Sequence, residues 1–261
     1  MYKILRNIHS EHLINNVGQM LAKRSLDLNA EKQEHKEFDQ VRNIKRISHN
    51  ELVSFKEVND IIFSENLFKE IKRSIGNFKI INLFSCQLNA YGPQIHRDGQ
   101  GMGFEKFQVN LSSKIFKVCF YFTDNSVFEG GGIRVSRFNS RPFNFVPGKK
   151  LWKSINYRLE NFKKKFLINL LSKAGDAILF DSNVWHSATP VKKLLEEKFK
   201  NTGISKILLQ FEIICEKDQN KIDYYINHLK ETRKMITNKN YLSNESNELL
   251  KKYNVDLLDI K

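Results

Sequence analysis

The chain has 261 residues, of which 41% are hydrophobic and 28% charged, and this composition excludes a wholly disordered or fibrous protein. The formal net charge is +14, but the lysines are spread along the whole chain. No zinc-finger, basic-heptad or RNA-recognition spacing accompanies them, which argues against nucleic acid as a partner.

Three features indicate a cytoplasmic protein without a membrane segment. Cys86, Cys119 and Cys215 lie in apolar segments and form no CxxC, so they are expected to be reduced core thiols. Residues 1–6 lack the apolar run of a signal peptide. No stretch approaches the ~18 apolar residues that a membrane-spanning helix requires.

Residues 1–77 are predicted to form a mainly helical N-terminal support. Apolar residues from Leu13 to Leu21 recur at helical spacing. The polar stretch 29–40 is predicted to be a loop or an exposed helix. Ser48 followed by Glu51 fits a capping box at the start of a further helix.

Residues 78–216 have a different pattern and are predicted to form a β core. Short apolar, β-branched segments alternate with turn residues, which is typical of a sandwich or barrel. The predicted strands lie at 79–84, 115–122, 132–138, 166–171, 176–180 and 204–215. An insertion is expected near 149–165, and residues 217–261 return to helical periodicity.

The segment around His96 and Asp98 carries the first candidate metal ligands. Side chains two apart on an extended segment project to the same side, so the two can share one metal ion. Pro93 and Gly99 favour an extended conformation there. An isolated HxD triplet is a weak signal, because such triplets commonly arise by chance.

A further candidate ligand is His186, which follows the turn Ala174-Gly175-Asp176 and an apolar strand. That order predicts a position at a strand end near the rim of the core. Two imidazoles and one carboxylate form a facial triad that suits Fe(II) and leaves coordination positions open. A histidine in this position is often a half-buried structural residue, but the combination with the HxD is more specific than either motif.

The sequence resembles the iron(II)/2-oxoglutarate-dependent oxygenases, and within them the phytanoyl-CoA dioxygenase-like group, over roughly residues 78–215. The motifs that carry the resemblance are His96-Arg97-Asp98, Phe120-Tyr121-Phe122-Thr123-Asp124, Glu129-Gly130-Gly131-Gly132-Ile133, and Ala174-Gly175-Asp176 leading to His186-Ser187. The resemblance implies a single domain over 1–261, mainly β with flanking helices, around a double-stranded β-helix (jelly-roll, cupin-like) core.

The same resemblance implies the chemistry. His96, Asp98 and His186 would bind Fe(II) and act as the catalytic centre, with 2-oxoglutarate and dioxygen as cosubstrates. A small molecule would be hydroxylated with release of succinate and CO2. Halogenating relatives replace the carboxylate ligand by a small residue, so Asp98 favours hydroxylation.

The chain departs from the family pattern at two positions. The family usually has an arginine about one strand after the distal histidine, where its fork binds the far carboxylate of 2-oxoglutarate. Here the candidate is Lys206, whose alternative is an ordinary solvated lysine at a strand end. The Pro-Gly-Ser-His turn that follows the glycines in the family is also absent, which leaves the substrate open.

Four further side chains are candidates by position. Gln87 and Asn89 precede the HxD and could hydrogen-bond 2-oxoglutarate, or could be ordinary surface residues. Arg134 and Arg137 follow the glycine run and could meet an anionic substrate, or could pair across a strand.

Two alternatives to the oxygenase are open from the sequence. One is a metal-dependent cupin enzyme that does not use 2-oxoglutarate, which the missing arginine favours. The other is a basic nucleic-acid-binding module with a vestigial metal site, which would show a steep dependence of binding on salt.

Overall fold

The computed structural model describes residues 1–35, 40–90, 115–125, 132–136, 167–182, 184–188 and 198–261. Within these ranges the chain forms two β-sheets, with helices packed against the outer face of the larger sheet. The predicted insertion at 149–165 lies outside the described residues.

The strands are β1 (Tyr2–Leu5), β2 (Glu31–His35), β3 (Gln40–Ile47), β4 (Lys79–Ile81), β5 (Ser85–Leu88), β6 (Ile115–Tyr121), β7 (Ile133–Ser136), β8 (Leu167–Leu170), β9 (Ala177–Asp181), β10 (His186–Ala188), β11 (Ile207–Ile214) and β12 (Asp256–Leu258). The helices are α1 (Glu11–Arg24), α2 (His49–Leu52), α3 (Lys56–Ile62), α4 (Glu65–Ile75), α5 (Gln219–Arg233) and α6 (Asn244–Lys252), and a short 3-10 helix (Ser25–Asp27) follows α1.

The larger sheet has the order β1-β9-β6-β11-β5-β3-β2, and β4 pairs with β11 and with β12. Its pairs are antiparallel except for β4 with β12. The smaller sheet has the order β10-β7-β8 and is antiparallel. This arrangement of two mainly antiparallel sheets with flanking helices confirms the predicted fold class.

Alternation along β6 explains how one strand serves two cores. Phe116, Val118 and Phe120 belong to the apolar cluster beneath the helices. Cys119 and Tyr121 belong to the cluster between the two sheets. Because strand side chains alternate between faces, β6 separates the supporting core from the interior that holds the site.

Helices α1, α2 and α4 each begin at a serine whose hydroxyl accepts a backbone hydrogen bond. Ser48 accepts from Glu51 N at 3.4 Å, as the predicted capping box requires. Ser10 and Ser64 do the same for α1 and α4. The apolar faces of α1 and α4 are buried against the larger sheet. The sequence prediction of helices here is confirmed.

The N-terminal region also contains strands, so the prediction of a mainly helical support was incomplete. β1 pairs with β9, and the predicted loop or exposed helix at 29–40 instead contains β2 and the first residue of β3. β3 then joins β5, with Ile47 opposite Cys86. A strand at a sheet edge needs few apolar residues, so its sequence resembles that of a loop.

The turn before β9 holds the N-terminal segment in place. Gly175 has a φ of 94°, and a Cβ there would overlap the carbonyl oxygen of His9. The buried carboxylate of Asp176 accepts hydrogen bonds from Arg6 Nη1 at 2.6 Å and from Asn7 N at 2.9 Å. The glycine and the aspartate of this motif therefore have structural roles.

The C-terminal region is helical as predicted in α5 and α6, but it ends differently. Residues Asp256–Leu258 form β12, which runs parallel to β4, and the buried Ile260 packs with α5. A three-residue strand is too short to produce a recognisable period in sequence. In the described part of the chain, no helix has the length and apolar character of a membrane span.

Candidate functional site

A cavity of about 160 Å³ lies between the two sheets. The larger sheet contributes side chains from β5, β6, β9 and β11, and the smaller sheet contributes β7 and β10. Its apolar lining includes Ile133, Phe180 and Leu208. Two residues that the sequence predicted from different motifs, His186 and Lys206, line this same cavity.

His186 is the first residue of β10, opposite Val135 of β7, and its side chain is buried. Its Nδ1 lies 2.9 Å from the carbonyl oxygen of Val184. A carbonyl oxygen can only accept, so Nδ1 carries the proton and the lone pair is on Nε2. Metal-binding histidines are commonly fixed in this way. The Phe180 ring, 4.9 Å away, packs against the imidazole.

Lys206 immediately precedes β11 and is only 2% exposed. Its Nζ lies 5.3 Å from the centre of the Tyr121 ring, a cation–π contact. Burial lowers the pKa of Lys206 from 10.5 to about 7, and interaction with Cys119 opposes part of this shift. A charged ammonium is costly to bury, which is why burial lowers the pKa of this side chain. The alternative of a solvated lysine does not describe it.

Asn89 holds the backbone around Lys206. Its backbone N–H donates to the Lys206 carbonyl oxygen at 2.8 Å. Its Oδ1 accepts from the N–H groups of Ser205 at 2.8 Å and Lys206 at 3.3 Å, and its Nδ2 donates to Gly203 O at 3.0 Å. Gln87 is among the described residues that line the cavity, and Asn89 is not.

Replacement of Asn89 by alanine is therefore expected to destabilise the protein by about 2 kcal/mol, because three side-chain hydrogen bonds are lost and Asn89 has a φ of 55°. Asn89→Gly is the matched control, since glycine tolerates this φ but lacks the amide. Urea unfolding of both variants measures the two contributions. Equal stability of wild type and Asn89→Ala would contradict this role.

Arg134 lies on β7, opposite Ser187 of β10. Its Nε donates to Ser187 Oγ at 2.6 Å, and the side chain is only 8% exposed. Arg134 thus links two strands of the smaller sheet beside the cavity, which is the cross-strand alternative that the sequence left open. Arg137 lies outside the described residues.

His96 and Asp98 also lie outside the described residues, and His186 is the member of the predicted triad that lies within them. Across those described ranges, no three His, Cys, Asp or Glu side chains are grouped to hold a metal ion. The metal triad therefore stays a prediction, and the tautomer and burial of His186 are compatible with it.

Sequence reasoning did not identify several other side chains of the cavity. These are Lys117, Cys119, Tyr121 and Gln210. The first three alternate along β6, and Cys119 lies opposite Gln210 on β11. The available signal was the alternation of polar or small residues with Phe116, Val118 and Phe120, which marks the inward face of a strand.

Comparison with known proteins identifies solved structures that share this fold. No protein-family model matches the chain, and no curated protein matches it significantly in sequence. Solved structures do match, at about one-tenth sequence identity. One is the non-heme alpha ketoglutarate dependent epimerase SnoN from nogalamycin biosynthesis, with a TM-score of 0.55, 10% identity and coverage of 82% of this chain and 78% of that one.

Two other structures match to a similar extent. HygX from Streptomyces hygroscopicus, solved with nickel, 2-oxoglutarate and hygromycin B bound, has a TM-score of 0.53 at 11% identity and covers 82% of each chain. The non-heme alpha ketoglutarate dependent carbocyclase SnoK has a TM-score of 0.54 at 10% identity, covering 82% of this chain and 80% of that one. The chain described here thus has the fold of solved alpha-ketoglutarate-dependent non-heme enzymes.

Proposed function

We propose that the protein is an Fe(II)/2-oxoglutarate-dependent dioxygenase that hydroxylates a small molecule. The observation that carries the proposal is that a buried imidazole with its lone pair on Nε2 and a buried lysine line one cavity between the two sheets. These are the two kinds of group that a metal-chelated diacid requires. The fold shared with SnoN, HygX and SnoK supports the same assignment.

In this proposal His96, Asp98 and His186 hold the iron. The Val184 carbonyl fixes the His186 ring so that the lone pair of Nε2 would bind the metal, and Phe180 limits rotation of the ring. Bound Fe(II) supplies the activation of dioxygen that the protein's own side chains cannot provide. The chain's own residues hold the donor atoms, exclude water and orient the substrate.

Lys206 would bind the far carboxylate of 2-oxoglutarate in place of the family's arginine. An ammonium is a point charge with three donors, so it can neutralise a carboxylate without bidentate geometry. Asn89 fixes the backbone of Lys206, and Tyr121 supports the ammonium from one side. Gln87 lines the same cavity and would donate a further hydrogen bond to the cosubstrate.

The apolar side chains of the lining serve to exclude water. Ile133, Phe180 and Leu208 enclose the polar groups from both sheets. In an enclosed site each electrostatic contact is stronger than in water, and reactive species are protected from side reactions. This environment suits hydroxylation of a small molecule whose binding would close the cavity to solvent.

The test is iron-dependent turnover of 2-oxoglutarate. Purified protein with Fe(II), dioxygen and 2-oxoglutarate is expected to form succinate, at a rate that rises when a substrate is supplied from a compound panel. Ni(II) in place of Fe(II) should support binding of 2-oxoglutarate without turnover. Failure to bind 2-oxoglutarate with either metal would contradict the proposal.

The affinity for 2-oxoglutarate is expected to depend on pH. The pKa of Lys206 is about 7 in the protein described here, and a bound carboxylate should raise it because the opposite charge stabilises the ammonium. Binding is then coupled to proton uptake, so the affinity is constant below pH 7 and falls up to about tenfold per unit above it.

Calorimetric titration with Ni(II) between pH 6 and 9 would measure this dependence. The other titratable groups among the described lining residues are Lys117, Cys119, Tyr121 and His186. A Lys206→Arg variant is the control, because arginine stays charged throughout this range. The same decline above pH 7 in both proteins would exclude Lys206 as its cause.

The rival assignment is a metal-dependent cupin enzyme that does not use 2-oxoglutarate. The observation that favours it is the lysine in place of arginine at 206. The two assignments differ in one measurement, because a Lys206→Ala variant should lose 2-oxoglutarate binding in the oxygenase. In the rival enzyme, neither wild type nor variant would bind the diacid.

A further inference from the structure

We propose that Gly18 of α1 and Phe199 position Lys206, so that the contact between them sets the affinity of the protein for 2-oxoglutarate. The inference rests on the proposed function, in which Lys206 binds the far carboxylate of the cosubstrate. Neither Gly18 nor Phe199 is among the described residues that line the cavity, so both act through Lys206 and are positioning residues.

Gly18 allows the ring of Phe199 to pack directly against α1. A Cβ at position 18 would overlap Cε1 of this ring and would lie 3.4 Å from Cβ of Phe122. Phe199 and Phe122 are both buried in the apolar cluster beneath the helices. A glycine inside a helix costs about 1 kcal/mol relative to alanine. The close approach of Phe199 therefore gives a packing reason for a glycine at this position.

Phe199 belongs to a hairpin, residues 198–205, that leads directly into Lys206. An antiparallel bridge joins Phe199 to Ile204, and Phe199 N donates to the Ile204 carbonyl oxygen at 3.3 Å. The hydroxyl of Thr202 donates to the Phe199 carbonyl oxygen and accepts from Ile204 N at 3.2 Å. These bonds make the hairpin one unit, so a displacement of Phe199 also moves the backbone that precedes Lys206.

The hairpin is tied both to α1 and to the backbone of the lysine. The side chain of Gln19 on α1 donates from Nε2 to the Lys200 carbonyl oxygen at 3.3 Å. At the other end, Asn89 Oδ1 accepts from the backbone N–H groups of Ser205 and Lys206. A continuous set of contacts therefore runs from α1 through the hairpin to the lysine.

The helix is the more firmly held partner in this contact. Ile14, Val17 and Leu21 of α1 are buried in the apolar cluster against the larger sheet. A methyl group added at position 18 therefore displaces the Phe199 ring and its hairpin more readily than it displaces α1. Hydrogen bonds weaken steeply when their distance and angle depart from the preferred geometry, so a small shift of Lys206 reduces its hold on a carboxylate.

The experiment measures the Ni(II) affinity and the 2-oxoglutarate affinity of the full chain by calorimetric titration. Gly18→Ala should weaken 2-oxoglutarate binding by about tenfold and change Ni(II) affinity by less than about threefold. A general disturbance of the structure would weaken both, so the difference between the two ligands reports on the position of Lys206. Phe199→Ala removes the ring from the contact and should cause the same selective loss, which answers the question even if Gly18→Ala folds poorly.

Two controls accompany these variants. A double variant, Gly18→Ala with Phe199→Leu, combines the added methyl group with a smaller side chain at 199. It should restore 2-oxoglutarate affinity to within about threefold of wild type, because the total volume at the contact is nearly conserved. Asn15→Ala raises the helix propensity of α1 at an exposed position and should leave both affinities unchanged.

The outcomes separate this inference from the proposed function. Equal 2-oxoglutarate affinity in wild type and a folded Gly18→Ala protein overturns the inference. Parallel losses of Ni(II) and 2-oxoglutarate binding also overturn it, as does a double variant that binds 2-oxoglutarate no better than Gly18→Ala. A wild type that binds Ni(II) but no 2-oxoglutarate would instead contradict the proposed function itself.

Discussion

Replacement of Lys206 by methionine is expected to stabilise the protein at pH 7 by about 2–4 kcal/mol and to weaken 2-oxoglutarate binding at least about a hundredfold. Methionine fills a similar volume and needs no compensating charge. Burial lowers the lysine pKa from 10.5 to about 7, and this shift is the source of the cost that methionine removes.

The sign of the pH dependence follows from the same shift. Between pH 7 and 10.5 an unfolded Lys206 binds a proton that the folded protein mostly lacks, so wild-type stability rises with pH across this window. The advantage of Lys206→Met should therefore be largest near pH 7 and below, and small at pH 10.5. Urea unfolding at pH 7 and pH 10 measures the difference.

Lys79→Met is the matched control, because Lys79 is a partly exposed strand residue paired with Asp256. Its removal should change stability by less than about 1 kcal/mol at either pH. A Lys206→Met protein that is less stable than wild type at pH 7 would show that burying this lysine does not cost stability. A variant that binds 2-oxoglutarate as well as wild type would show that Lys206 does not hold the cosubstrate.

Replacement of His186 by alanine is expected to weaken Ni(II) binding more than about a hundredfold, because even changes to groups that orient a metal ligand cost 10–100-fold. The protein should remain folded, since the imidazole lines a cavity and its removal leaves the apolar clusters intact. Binding of 2-oxoglutarate in the presence of Ni(II) should be lost together with the metal.

Imidazole added to the His186→Ala protein should restore part of the metal binding, because it can occupy the space left by the side chain. His12→Ala is the control, since His12 is exposed on α1 and contacts Asn16. Unchanged nickel affinity in His186→Ala would remove this residue from the metal site and with it the basis of the proposed function.

Much of the β core could be predicted because its strands are buried on both faces. In β6, β9 and β11 the residues facing the helices and the residues facing the interior are largely apolar, so these strands appear as continuous hydrophobic runs. The edge strands β2 and β12, and β3 beside β2, gave no such run. Their strand identity depends on the pairing of β2 with β3, of β3 with β5 and of β12 with β4, which is a property of the folded chain.

The candidate site was predictable where a residue belongs to a motif. His186 and Lys206 were identified by their order relative to turns and strands, and both line the cavity. Lys117 belongs to no motif, and its place near His186 depends on the register between β6 and β9. Asn89 was expected to contact a ligand, but its side-chain amide makes its hydrogen bonds with the backbone of residues 203–206.

The environment of Lys206 also has a consequence for its chemical reactivity. With a pKa of about 7, a substantial fraction of this side chain is an unprotonated amine at neutral pH, whereas lysines on the surface are almost fully ammonium. The amine is the nucleophilic form, so Lys206 is predisposed to acylation by small electrophiles that can enter between the sheets. A bound diacid would cover the nitrogen and, by raising its pKa, favour the unreactive ammonium form. Binding of the diacid would then be measured in a peptide map as protection of Lys206 from acylation.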